Sequence, residues 1–353
     1  MRKRYLFPAM GIVAIFYWVA DLLLDAGQFK EITPHFSGSC QVIKGVVGAE
    51  DISFLPSQNT ALISAYDRRE NNKEKNAGIF SYDLTTQRIT KLSPLLDDFS
   101  PHGISIYKMP NGAVRVFVIN HANKAHQINV FDLVNGALVL KDTIVSKHLI
   151  SPNDLVAVGP NQFYVTNDHK FRNEIMRTFE DYLRLNVANV VFYDGEKFKE
   201  VISGIGYANG INVSQDGTLL YVNSVTAQST FIYQRNSQNH ELSFQEKVNT
   251  NSGVDNIELD EQGNIWMGSH PQLLKFAQHA KDENVLSPSQ VLKLVKKEEG
   301  YEVEEIYLDS GSQLSGSSVA AIKNNRMLVG AVFDAKLLDC TLPEKTEVAG
   351  SEI

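Results

Sequence analysis

The chain contains no G-x-S-x-G turn, and no serine, histidine and acid that its repeats would bring together, which argues against serine hydrolase chemistry. It has no H-E-x-x-H pair, and its two cysteines are too few for a cysteine-rich zinc site. Acidic residues outnumber basic ones, 41 to 33, and no long basic run lies beyond the first four residues, so nucleic acid is not an expected partner. Long apolar runs are missing too, with one exception at the start of the chain.

There, Arg2, Lys3 and Arg4 precede an apolar stretch over residues 5–20, followed by Asp21 and Leu22, Leu23 and Leu24. A basic cluster ahead of an apolar run is the pattern of a signal sequence or signal anchor, which directs the remainder of the chain outward. No clean small-x-small cleavage site follows, so residues 1–26 are expected to stay as the membrane anchor of an exported protein, periplasmic or extracellular; a removed signal peptide is the alternative. Residues 27–353 are then one folded domain. In an exported chain Cys40 and Cys340, near either end of that domain, read as a disulfide, with two buried thiols as the alternative. Closing so long a loop contributes on the order of 4 to 5 kcal/mol.

The rest of the chain is organised around SPNDLVAVGPNQFYVTNDH at residues 151–169. Asn153 and Asp154 stand before a short apolar run, a turn follows at Gly159 and Pro160, and a second apolar run begins at Phe163. That is a strand, a turn and a strand, with hard oxygen ligands at the entrance. The layout recurs with Glu50 and Asp51, His102 and Gly103, Asn209 and Gly210, Asp255 and Asn256, and more weakly Ser317 and Ser318. Spacings of about 50 to 60 residues match a four-stranded propeller blade, so six copies predict an all-β, six-bladed β-propeller with short rim helices.

In such a fold the innermost strands surround one axis, and equivalent positions converge on one mouth of the central channel. Glu50, His102, Asn153, Asn209, Asp255 and Asn256 are therefore expected to meet. Carboxylates and carboxamides without thiolates suit a hard cation, calcium above others. The blander alternative is that Asn and Asp serve there as turn residues. His121 ends the strand returning toward the face that carries His102, and two histidines at one mouth fit acid–base chemistry as readily as a structural role. Residues 173–187 change to a helical period with Ile175, Met176, Phe179, Tyr182 and Leu183 on one face, which predicts a rim helix packing on the propeller, lining a pocket or touching a membrane. The polar loop 68–76 is either a solvated surface or a flap over the mouth.

Together with PHGIS, YANGINVSQDG, VDNIELD, GSH at 268–270 and GSSVAAI, the 151–169 stretch resembles the paraoxonase (serum arylesterase) family in order and spacing, from Cys40 to Cys340. The resemblance implies two calcium ions in the channel. A catalytic ion would be held by Glu50, Asn153, Asn209, Asp255 and Asn256, and a structural ion by Asp51, Asp154 and the backbone oxygen of Ile104. His102 and His121 match the family's histidine dyad and His270 a further site histidine; Tyr66 and Tyr207 are expected beside His270 in the substrate pocket. Cys40 and Cys340 match the family's blade-closing disulfide, and the retained N-terminal hydrophobic segment is shared. Ser269 stands where well-known members carry a free cysteine, and the rim helix and the 68–76 loop differ, so the reaction carries over more readily than the substrate.

The implied activity is calcium-dependent hydrolysis of lactones and aryl esters, with phosphotriesters as side substrates. His102, tuned by His121, is the expected base, and Asp255 competes with it as base or nucleophile. The rival from another class is a membrane-anchored, non-catalytic propeller that keeps the calcium scaffold and acts as an assembly factor or binding module. Retention of both histidines and all five ligands favours the enzyme.

Overall fold

The computed structural model describes residues 6–69 and 76–343, with side chains from residue 12 onward. Strand β1 (Ser39–Lys44) is the outermost strand of the last sheet, whose order is β1-β24-β23-β22, with β22 (Ser317–Lys323), β23 (Arg326–Ala331) and β24 (Lys336–Thr341). The two chain ends thus share one blade and close the ring. Cys40 faces Cys340 across the β1–β24 register, and the two are bonded.

The other five sheets each take four consecutive strands, so the described residues form six four-stranded antiparallel blades. The innermost strands are β2 (Ala49–Phe54), β6 (Pro101–Lys108), β10 (Pro152–Gly159), β14 (Ala208–Val213), β18 (Gly253–Leu259) and β22. Each begins where the sequence places a polar pair, or a polar residue and a glycine, ahead of an apolar run. Apolar side chains from facing blades fill the space between them, as Val156, Tyr164 and Val190 do against Ile211, Leu220 and Val222. Tyr82, Phe117, Phe131, Phe163 and Tyr164 are fully buried, so the core is a ring of inter-blade layers around a polar axis.

Three helices lie outside the blades: α1 (Leu6–Asp25), α2 (Glu174–Tyr182) and α3 (Leu273–His279). Helix α2 starts where the Asn173 side chain accepts hydrogen bonds from the amides of Ile175 and Met176, an ordinary N-cap. It is shorter than the 173–187 expected, because Leu183 is its C-cap and Arg184 turns left-handed at φ 51°. Ile12, Val13, Ile15, Phe16 and Tyr17 of α1 are exposed, and among the described residues no helix is long and apolar enough to cross a membrane. Arg2, Lys3 and Arg4, like residues 70–75 of the polar loop, lie outside the described residues.

Candidate active site

A single backbone device builds the site. Every innermost strand breaks its register with its partner at the mouth end: between residues 49 and 51, 101 and 104, 152 and 155, 208 and 211, 254 and 257, and 317 and 319. A bulge leaves its extra residue unpaired and re-aims the side chain, here away from the ladder and toward the axis. The bulged residues include Glu50, His102, Asn153, Asn209, Asp255 and Asn256. Two glycines let the strands come this close: a Cβ on Gly103 would lie 2.6 Å from Asp154 Oδ1, and one on Gly210 would lie 2.4 Å from the Asp255 carbonyl.

The ring is tied together. Asn256 Nδ2 donates to Glu50 Oε1 at 2.8 Å and to the Glu50 carbonyl at 3.0 Å, and Ser318 Oγ donates to that same carbonyl at 2.6 Å. Yet Glu50 Oε2 and the Oδ1 atoms of Asn153, Asn209 and Asn256 are buried without any hydrogen-bond partner. Four orphan acceptors from four blades, with the Asn153 and Asn256 amide donors engaged by Asp168 and Glu50, form a set that a hard oxygen-seeking cation would satisfy. Among the described residues no group of three or more His, Cys, Asp or Glu side chains is disposed to hold a metal; here three of the four orphans are carboxamides.

Electrostatics fit that donor set. Burial pushes the Glu50 carboxyl up, but the neighbouring His102, Arg68 and Asn256 outweigh it and hold the group below the usual range. Burial raises Asp255 in spite of His270, whose Nε2 lies 3.0 Å from Asp255 Oδ2. Deeper in the channel, Asp51 Oδ2 accepts from the Ile104 amide at 2.7 Å and Asp154 Oδ2 from the Ile211 amide at 2.8 Å. Burial lifts both acids well above the ordinary range, and Asp51 is raised further by Asp154. A divalent cation between them would remove that repulsion. Asp51, Ile104 and Asp154 border a second cavity of about 220 Å³, which Glu258 also lines.

His102 Nε2 lies 3.3 Å from Glu50 Oε1, and its Nδ1 lies 2.6 Å from His121 Nε2. Behind them, His121 Nδ1 is 2.9 Å from His126 Nδ1. Burial, and then the two neighbouring imidazoles, hold the His121 pKa well below the usual histidine value, so it stays neutral.

Above the ring is a cavity of about 390 Å³ lined by Glu50, His102, Asn153, Asn209, Asp255, His270 and Tyr207, among others. His121 and Asn256 sit behind this wall, and neither borders the cavity. Tyr66 does not border it either: the tyrosine is buried under Arg68, whose guanidinium stands 4.3 Å over its ring. His270 stacks on Phe276 of α3 with ring centroids 3.7 Å apart. The roof comes from the three helices, through Leu22 and Ala26 at the end of α1, Tyr182 of α2, and Leu274 and Ala277 of α3.

Several residues of the site have no counterpart in the sequence expectations. His126 extends the histidine pair into a chain of three; its one signal is its place just before the strand that pairs back on His121's own. Asp168 Oδ2 accepts from Asn153 Nδ2 at 3.3 Å, which turns the asparagine's Oδ1 away from it. Burial raises the Asp168 carboxyl, but hydrogen bonds from His169 and Ser151 hold it below the usual range. Arg68 Nη2 is 3.9 Å from Glu50 Oε2.

Fold and site define a class: a six-bladed propeller with a polar ring and a histidine pair at one mouth, under a helical roof. Residues 31–342 match the Arylesterase family, and the chain belongs to it. It is similar to the mouse (Mus musculus) serum paraoxonase/arylesterase 1, 31% identical over 89% of this chain and 92% of that one. It is also similar to the rat (Rattus norvegicus) serum paraoxonase/arylesterase 2, 35% identical over 85% and 88%. Among solved structures, a luciferin-regenerating enzyme shares the fold with a TM-score of 0.56 at 14% identity, covering 86% of this chain and 95% of its own. A gluconolactonase from Xanthomonas campestris does so with 0.55 at 13%, covering 89% and 94%.

Proposed function

We propose that this protein is a calcium-dependent hydrolase of lactones and aryl esters, with phosphotriesters as side substrates. The observation that carries the reading is the His102–His121 contact of 2.6 Å at the edge of a ring of four orphan oxygens. Glu50, Asn153, Asn209, Asp255 and Asn256 would hold one calcium ion, and Asp51, Asp154 and the backbone oxygen of Ile104 a second. The chemistry that calcium supplies when bound is polarisation of the ester carbonyl and stabilisation of negative charge on its oxygen.

The chain's own residues do the rest. Two tautomer arrangements satisfy both histidine contacts, and the reactive one has His102 Nδ1–H donating to His121 Nε2 and His121 Nδ1–H donating to His126 Nδ1. His102 Nε2, 3.3 Å from Glu50 Oε1, then carries the lone pair that takes a proton from water at the cavity wall, while the neutral imidazoles behind it can pass charge outward. Asp255, raised by burial and fixed by His270, is the competing nucleophile. Apolar side chains of the roof line the cavity above the ring and suit the apolar part of an ester.

A disulfide persists in an oxidising compartment, so the propeller would lie outside the cytoplasm, with the exposed apolar face of α1 toward a membrane. The test is a hydrolysis screen of lactones, aryl esters and phosphotriesters, with and without a calcium chelator. No turnover in saturating calcium would refute the hydrolase. A single turnover in ¹⁸O-water that leaves label in Asp255 would move the first step from His102 to that carboxylate.

A further inference from the structure

We propose that the last turn of α1 is a wall of the substrate cavity, latched there by Arg184, so that the N-terminal helix selects substrates by their apolar tails; this rests on the hydrolase reading above. Arg184 pairs with Asp21 and, through Nη1 at 2.9 Å, with Asp25, one helical turn further along α1. Two backbone contacts seat the same turn: Gln228 Nε2 donates to the Asp25 carbonyl, and the Leu273 amide at the start of α3 donates to the Ala26 carbonyl at 3.0 Å. Leu22 and Ala26 line the cavity together with Leu274 and Ala277 of α3.

Independent support comes from the backbone of Arg184 itself. It follows the C-cap of α2 with φ 51°, a left-handed position where glycine or asparagine costs least. That turn takes the Arg184 side chain out of the α2 spiral, on the course that brings it to Asp21 and Asp25. On the other side of α2, His169 Nε2 meets Asp181 at 3.0 Å, so the end of α2 is fixed to the propeller before Arg184 reaches α1. Helices α1 and α2 therefore dock as one roof, and its grip on a long apolar chain depends on the latch.

The test uses the full chain with calcium, two probe substrates, and a built-in reporter. Of the two tryptophans, Trp18 lies on α1 and is 37% exposed, whereas Trp266 is buried in a blade at 4%. Acrylamide quenching therefore reads α1. Kinetic constants are compared for phenyl acetate and for a delta-lactone with a long alkyl tail. In Arg184→Gln and Arg184→Gly, Trp18 becomes more quenchable and KM for the tailed lactone rises about tenfold more than KM for phenyl acetate, as loss of the Leu22 wall implies. Arg184→Lys, which can still pair with one aspartate, falls between them and the wild type. Arg184→Gly relieves the backbone, so an unchanged tail preference there overturns the proposal even if the variant is more stable. Unchanged Trp18 quenching in both variants also overturns it. A wild type that hydrolyses neither probe fails the hydrolase reading instead, and quenching alone then upholds or overturns the latch.

Discussion

His169 offers a measurement whose size follows from the structure. Its Nδ1 is 2.7 Å from Asp168 and its Nε2 is 3.0 Å from Asp181, and the residue is 6% exposed. Burial alone would discharge the ring, but the two carboxylates outweigh it and lift the pKa from 6.5 to about 9. That rise corresponds to roughly 3 kcal/mol of folding free energy, less a discount because Asp181 is the more solvated partner. The folded pKa lies above the unfolded one, so this stability is fully present below about pH 6.5 and is lost as pH rises through about 9. Asp168 is depressed by the same contact, which sets the acid limit: its share is lost as pH falls through the carboxylate range. The two shifts describe one interaction and count once. Urea unfolding at saturating calcium, at a series of pH values between 6 and 9.5, should show the wild type losing about 2 to 3 kcal/mol more than His169→Gln. His169→Gln should start lower and keep only the slope that groups such as Glu258, lifted to about 8 by burial, give to both proteins. Parallel curves for the two proteins would refute the pairing.

Four further outcomes are expected. His102→Gln should cut ester or lactone hydrolysis by about 10² to 10⁴-fold while the calcium-dependent rise in Tm is kept, which steady-state kinetics and calorimetry on one preparation can check. Asn209→Ala should fold and melt near the wild type in calcium yet lose most activity, since it deletes one orphan oxygen from the ring; full activity would mean that the ring is not the reacting centre. Asp154→Asn should shrink the Tm difference between calcium-loaded and calcium-free protein, because it weakens the inner ion's cage and relieves acid repulsion when the ion is removed. Cys40→Ser with Cys340→Ser should lower stability by up to about 5 kcal/mol on the chain-entropy estimate, read by denaturant unfolding under non-reducing conditions.

What the sequence reveals and hides follows from the range of each interaction. The six innermost strands are legible because each carries its signal locally ahead of an apolar run, a polar pair as at Asn153–Asp154 and Asp255–Asn256 or a polar residue and a glycine as at His102–Gly103 and Asn209–Gly210. The disulfide is legible because only two cysteines exist and both fall in the strands that close the ring. Tyr66, expected in the pocket with Tyr207, is buried with the Arg68 guanidinium 4.3 Å over its ring and does not border the cavity, a contact between near neighbours that no pattern of residue types announces. Arg184 and Asp21 are 163 residues apart, and no local pattern links a charge after a rim helix to one at the end of an apolar run. The extent of α2 is hidden for a related reason, since the apolar period continues through Leu183 and Leu185 while the backbone has already turned at Arg184.

The bulges explain why the polar pairs carry so much information. In an unbroken strand, neighbouring side chains point to opposite faces, so Asp255 and Asn256 could not both serve the axis. With a register break between Val254 and Ile257, the backbone there is freed from strict alternation: Asp255 reaches the cavity wall, and Asn256 reaches across to Glu50 of the first blade. The same break at Pro152 to Leu155 turns Asn153 toward the ring and leaves Asp154 to the inner cavity, where its carboxylate meets the Ile211 amide of the next blade. Two consecutive polar residues in an inner strand can therefore both be used along one channel, at a single site as Asp255 and Asn256 are or at two as Asn153 and Asp154 are. Moving either by one position would turn its side chain into the apolar layer between blades, where an unpaired carboxylate or carboxamide has no partner. The pairs are thus constrained by the backbone as tightly as by any ion they hold.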